Sequence, residues 1–412
     1  MTTSVIKGLM LTTAIAAFLA PAAMAQDGEN PFLRGRYTSV TERGQPEFDP
    51  EPVRVGTFNV NASLGASAEY NDNVFAAPTN EQSDTIIRLQ PTVEARSNWT
   101  SHELAAGVAV DHREYSENDS ETATDYSAFL NGRVDVTRNF QFRLGIDGAH
   151  ATEPRYQAAS FGTTEPASYD QYGAFVQAIY RQDRLQVEGT VGAFDQEFDQ
   201  TIQKIRDNQN TYFSARVSYA ISPDVAVFVQ GRHAELDYSL SDREGTRVSY
   251  DAGVNFELAA PFRGEIAVGQ FKDDRDLDIY EDVSGLNVAA NVQWFPTQLT
   301  TVTFSANRGV FDPGLLTSAS AVSTAYGIRV DHELLRNVLL FGALRQENAT
   351  YEGTAIDRED KATSAAIGAA WKLNKNARLE LQASTRQQDS SGLSAGPEMN
   401  QNVISAGIRV YP

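Results

Sequence analysis

Apolar and polar residues alternate along most of this chain in runs of about ten, and the gaps between runs are alternately short and long. In the first run Phe58, Val60, Ala62, Leu64, Ala66, Ala68 and Tyr70 share one parity, and Asn59, Asn61, Ser63, Gly65, Ser67 and Glu69 the other. Successive side chains of a β-strand point to opposite faces, so this run predicts a strand with one greasy and one wet face. Further apolar faces run through residues 87–95, 104–110, 126–136, 140–146, 172–180, 185–193, 213–221, 225–229 and 248–258. They continue through 266–268, 286–294, 302–306, 322–330, 338–344, 365–373, 379–383 and 404–410. Short joints such as Thr137-Arg138-Asn139, Ser222-Pro223-Asp224 and Asn374-Lys375-Asn376 carry turn-forming residues, whereas gaps such as 197–208 and 309–318 are long and polar. The expected fold is all-β: a transmembrane antiparallel β-barrel of about 18 strands over residues 56–412. A soluble sandwich also alternates, but its outer face would be the polar one and its loops would not sort by length.

Aromatic residues on the apolar parity gather near strand ends, among them Phe58, Tyr70, Tyr172, Tyr180, Phe213, Tyr219, Trp294 and Trp371. Rings at two heights are expected of the girdles that meet the membrane interfaces. The wet parity changes the picture of the interior. It carries Arg88, Arg113, Arg133, Arg143, Arg216, Arg232, Arg247, Arg329 and Arg345, with acids such as Glu94, Glu103, Asp111, Asp135, Asp251 and Glu265. An arginine facing lipid near the bilayer centre costs roughly 2–4 kcal/mol, so these charges belong in the lumen. They form either a salt-bridged wall that keeps the barrel round or a charged path for a solute. Phe129, Phe175 and Phe228 also fall on the wet parity. They either stack on sugar faces or pack beneath an infolded loop.

Residues 1–25 read as a cleaved secretory signal peptide: Lys7, an apolar stretch from Gly8 to Ala20, then Ala23-Met24-Ala25. Residues 26–55, with Pro31, Pro46, Pro50 and Pro52 and no alternation, are expected to be an extended periplasmic N-terminal segment, or a small plug.

Cysteine is absent, which removes thiolate chemistry and thiolate metal sites. The net charge is −20, and loss of Lys7 with the signal peptide leaves about −21, so nucleic acid is not an expected partner. The acid-rich run from Asp273 to Asp282 lacks the spacing and glycine of a calcium loop and reads as a solvated surface loop. His102, His112, His150, His233 and His332 stand in no metal-binding spacing, and no nucleophile elbow or phosphate loop is present. No catalytic, cofactor or metal site is expected, and the chain is not read as an enzyme.

Four segments carry a resemblance: Val40-Thr41-Glu42-Arg43, Pro46-Glu47-Phe48-Asp49-Pro50, Gly56-Thr57-Phe58 and Tyr70-Asn71-Asp72-Asn73-Val74-Phe75. The chain resembles the outer-membrane β-barrel porin type 2 family. Gly44 and Glu51-Pro52 depart from the family pattern. The resemblance implies an outer-membrane channel in exopolysaccharide export, with polysaccharide and periplasmic export proteins as partners, and it implies no catalytic residues. The alternatives are a general diffusion porin for small hydrophilic solutes and a closed structural or adhesive surface barrel. In every case the surroundings would be outer-membrane lipid and lipopolysaccharide. The barrel-assembly machinery would read the last strand, where Ile404, Ala406, Ile408 and Val410 alternate and Pro412 stands in place of a terminal aromatic.

Overall fold

The computed structural model describes residue 32 and residues 35–412 except 240, 241, 260, 354 and 355. The expected signal peptide, residues 1–25, and residues 26–31 lie outside the described residues. A three-residue strand β1 (Val53–Val55) precedes eighteen long ones. These are β2 (Phe58–Asn71), β3 (Asp84–Ser97), β4 (Glu103–Tyr115), β5 (Ala123–Asp135), β6 (Phe140–Thr152) and β7 (Ser168–Gln182). Next come β8 (Leu185–Phe198), β9 (Asn208–Ser222), β10 (Val225–Tyr238), β11 (Gly245–Glu257), β12 (Phe262–Arg275) and β13 (Val283–Thr297). The last six are β14 (Thr300–Phe311), β15 (Ser320–Leu335), β16 (Val338–Glu352), β17 (Arg358–Asn374), β18 (Ala377–Ser391) and β19 (Met399–Val410).

Each long strand pairs antiparallel with its sequence neighbours, and β19 returns to β2 over Val403↔Asn71 to Val410↔Leu64, which closes an 18-stranded barrel. Closure gives every wall strand a partner strand on both sides, the condition for a sheet to sit in hydrocarbon. One end of the barrel has short turns such as Asp183-Arg184, where Asp183 takes φ 50°, a conformation Asp tolerates. The other end has long loops, the longest being residues 153–167.

The alternation read from the sequence sorts the two faces. Ile146, Val176, Val191, Val229, Ile367 and Ile404 of the apolar parity are each more than half exposed on the outside. Among the described residues the interior apolar clusters are small, such as Val40 with Leu339 and Ala370. Water-face aromatics lie flat over glycines of the adjacent strand. Phe129 faces Gly107, Phe175 faces Gly145 and Phe228 faces Gly253 in register. A Cβ on Gly107 would stand 2.5 Å from the Phe129 ring. These rings therefore cover bare backbone, the cross-strand rescue that lets a curved sheet carry glycine. Neither sugar stacking nor a loop overhead is needed to account for them, and Phe228 is 3% exposed beneath Arg216.

Two readings of irregular stretches change. Asp273 to Arg275 belong to β12, and Asp273 is fully buried between Arg247 and Arg275. The start of that acidic run is thus the lumen face of a long strand rather than a solvated loop. The proline-rich lead-in is docked: residues 36–51 follow the inner wall at the short-turn end. Its charges, spaced without period, each find a partner on the wall.

Candidate solute path through the barrel

The lumen wall is built from ion pairs because the wet parity of neighbouring strands brings opposite charges into register. Arg88 grips Asp111 through two nitrogens at 2.6 and 2.5 Å, with Glu69 at 3.9 Å. Arg113 pairs with Asp125 at 2.5 Å, and Arg133 with Asp135 at 3.1 Å and Glu103 at 3.5 Å. Arg143 lies beside Arg133 in the ladder. Arg216 reaches Glu265 at 2.8 Å and lies over the Phe228 ring at 3.6 Å. Arg247 pairs with Asp273 at 3.0 Å, Arg329 with Asp331 at 2.8 Å, and Arg345 with Glu347 at 3.5 Å. Arg232 lies 4.0 Å over the Tyr212 ring, and no carboxylate pairs with it among the described residues. The anticipated arginines are therefore spread around the whole wall rather than gathered at one point. Among the described residues no three His, Asp or Glu side chains stand together as a metal would require.

Two segments enter this lumen, and neither was anticipated in detail. The first is the 153–167 loop at the long-loop end. Its root is fixed by buried ion pairs: Arg155 to Glu121, with Nε–Oε2 at 2.8 Å, and Arg206 to Glu153 at 2.6 Å. Ser160 donates to Glu153 at 2.6 Å, and Gln203 donates to the Ala159 carbonyl at 3.0 Å. The tip crosses the mouth. Tyr156 meets the Arg386 guanidinium of β18 at 4.1 Å, and Ala158 packs on Ala321, Ala349 and Tyr351 of β15 and β16. In an 18-strand ring β15 stands opposite β6, so the loop spans the bore. On one side of it the neighbouring loops form a dense knot, where Arg243 bonds Asp312 and Ser318 and Arg275 bonds Asp273 and Ser320.

The second is the docked lead-in. Arg36 pairs with Asp224 at 2.6 Å, and its backbone N–H donates to Glu257 at 2.6 Å. Tyr37 stacks on Phe295, and Arg263 donates to the Tyr37 carbonyl and to Glu42. The Val40 N–H donates to Thr301 at 3.0 Å. Arg43 pairs with Glu333, Asp49 with Lys372 and Glu51 with Lys375. Burial pushes the Glu42 carboxyl up, but the Arg263 bond and charge and the Ser39 N–H outweigh it and hold the group below the usual glutamate range. These contacts run from β11 to β17. On the arc the strap leaves free, Glu94, Arg96, Glu103 and Arg133 have side chains 31–40% exposed. The loop was signalled in the sequence only by its length and by Pro154 and Pro166 at its ends. The lead-in was signalled only by its prolines and its lack of alternation.

A closed, outward-apolar barrel with a charged, narrowed lumen defines an outer-membrane channel of the porin kind. Residues 45–411 match the family described as Putative beta-barrel porin 2, and the chain belongs to that family. No curated protein sequence matches it. Among solved structures, Pseudomonas aeruginosa OccK3 (OpdO) is similar at 12% identity and a TM-score of 0.48, over 85% of this chain and 96% of that one. P. aeruginosa OccK9 (OpdG) is similar at 10% identity and 0.49, over 86% and 98%. The FrpB iron transporter of Neisseria meningitidis is similar at 10% identity and 0.47, over 82% and 62%.

Proposed function

We propose that this barrel is a passive outer-membrane channel for small hydrophilic solutes, with the short turns in the periplasm and the long loops outside. One observation carries it: a wet lumen lined by paired charges is narrowed by the chain's own segments at both ends. Paired charges stay hydrated at modest cost, so water and small polar solutes fill such a wall without a tight binding site. The exopolysaccharide-export reading rested on family resemblance alone, and the family and structural likenesses give it no further support. A loop that spans the bore suits small solutes better than a polymer chain.

Purified barrel in liposomes tests this. Swelling in monosaccharide should be fast and should fall steeply through di- and tetrasaccharides. Equal passage of long oligosaccharides, or no passage of any sugar or ion, would refute the proposal.

A further inference from the structure

We propose that residues 36–51 are a separable strap that sets the bore at the short-turn mouth. The inference deepens the channel reading and rests on it for its effect on flow, though not for the docking itself. The strap touches the turn before β10 at Asp224, then β11, β12, β13, β14, β15, β16 and β17, and ends at the β17–β18 turn through Lys375. It thus lines close to half the ring from inside. Whatever crosses this mouth passes along the remaining arc.

Its attachments differ in kind from those of the wall. No strap residue forms part of a wall ladder, since the pairing partners of β10 to β18 are all other wall strands. In the strap's links to the wall at least one partner is a side chain, and ion pairs share the hold about equally with other hydrogen bonds. Several are open to water: Arg36 and Asp224 are about one-third exposed, and Glu51 is 74% exposed against Lys375. Exposed pairs are individually weak and are screened by salt. The apolar hold is small: Val40, 2% exposed, against Leu339 and Ala370, with Tyr37 stacked on Phe295. Beyond Glu51 the chain is anchored independently, because β1 pairs with β2 from Val53↔Val60 to Val55↔Phe58. The strap can therefore leave the wall while its root stays fixed and the barrel stays closed.

Two variants separate the strap from the channel as such. The chain has no cysteine, so Val40→Cys introduces a single thiol at the buried anchor. Its labelling by a water-soluble maleimide should be slow at low salt and at least several-fold faster at about 1 M salt, where the Debye length is about 3 Å. Labelling that is equally fast at both salts, or equally slow at both, would overturn the separable strap whether or not the barrel conducts. Deletion of residues 36–51 should leave heat-modifiable migration intact and raise single-channel conductance at least about 1.5-fold in planar bilayers, a little over 0.2 kcal/mol of barrier. A folded deletion with unchanged conductance would overturn the size-setting role. A deletion that no longer folds would overturn separability. If neither form conducts while labelling responds to salt, the strap stands and the channel reading falls.

Discussion

At the residue scale, the face a side chain takes is decided by one position of register. Ser405 and Ala406 are consecutive in β19. Ser405 stands beside Glu69 in the β2 ladder, on the lumen side, whereas Ala406 stands beside Ala68 and Leu381 on the lipid side. Ala406→Arg should lose about 2–4 kcal/mol of barrel stability, while Ser405→Arg gains a carboxylate neighbour and should fold normally. Urea unfolding in lipid vesicles measures both, and equal losses would show that the faces are misassigned. The aromatic–glycine pairs follow the same logic. Phe129 over Gly107 was visible in the sequence as a ring on the wet parity, but its partner could not be read. The pair depends on which residue of β4 stands opposite, and parity alone does not fix that.

Elements add what register cannot. The 153–167 loop turns inward because its root is stapled by two buried ion pairs, Arg155–Glu121 and Arg206–Glu153, whose side chains are 4–11% exposed. Removing one partner of a buried pair leaves the other charge without compensation and costs roughly 3–5 kcal/mol. Glu121→Gln should therefore free the loop before it unfolds the barrel. Proteolysis within residues 156–165 should become rapid, with larger sugars admitted in the swelling assay. A loop that stays protected would show that the tip contacts on β16 and β18 suffice.

The strap makes an acid prediction. Glu42 and Glu51 are held below the usual glutamate range when docked, Glu42 by Arg263 against the opposing pull of burial and Glu51 by the Lys375 bond. A depressed docked pKa contributes stability above the free value and loses it as pH falls through the docked value. The other acids of the interface face cations in the same way: Glu47 to Arg336, Asp49 to Lys372, Asp224 to Arg36, Glu333 to Arg43, with Glu257 accepting from the Arg36 N–H. Docking should be complete at neutral pH and weaken below about pH 4. Conductance of the full chain should rise over that range toward that of the 36–51 deletion, which should show no matching rise. Parallel pH curves would refute it.

On the scale of the whole molecule, the sequence was most legible where lipid imposes a rule. Hydrocarbon demands an apolar outer face, strands demand period two, and together they mark all eighteen wall strands from Phe58 to Val410. Inside the barrel water relaxes the rule. The partners of Arg36, Arg43 and Asp49 lie 188, 290 and 323 positions away, and nothing periodic announces them. Parity puts the arginines on the wet face, yet it does not announce the elements that narrow the lumen. An aperiodic stretch of mixed charge reads alike whether it is solvated or docked.

The seam between β19 and β2 has a temporal consequence. The chain's first wall strand waits for its last: β2 keeps an unsatisfied edge until Val403–Val410 arrive, and β1 covers only its opening residues, Phe58 to Val60. A growing chain thus cannot shelter both margins of its sheet at any intermediate length. Losing the final dozen residues is not a small truncation but leaves seventeen strands with two raw borders. Closure of the ring therefore waits on the β19–β2 pairing, whatever the order in which the other strands pair.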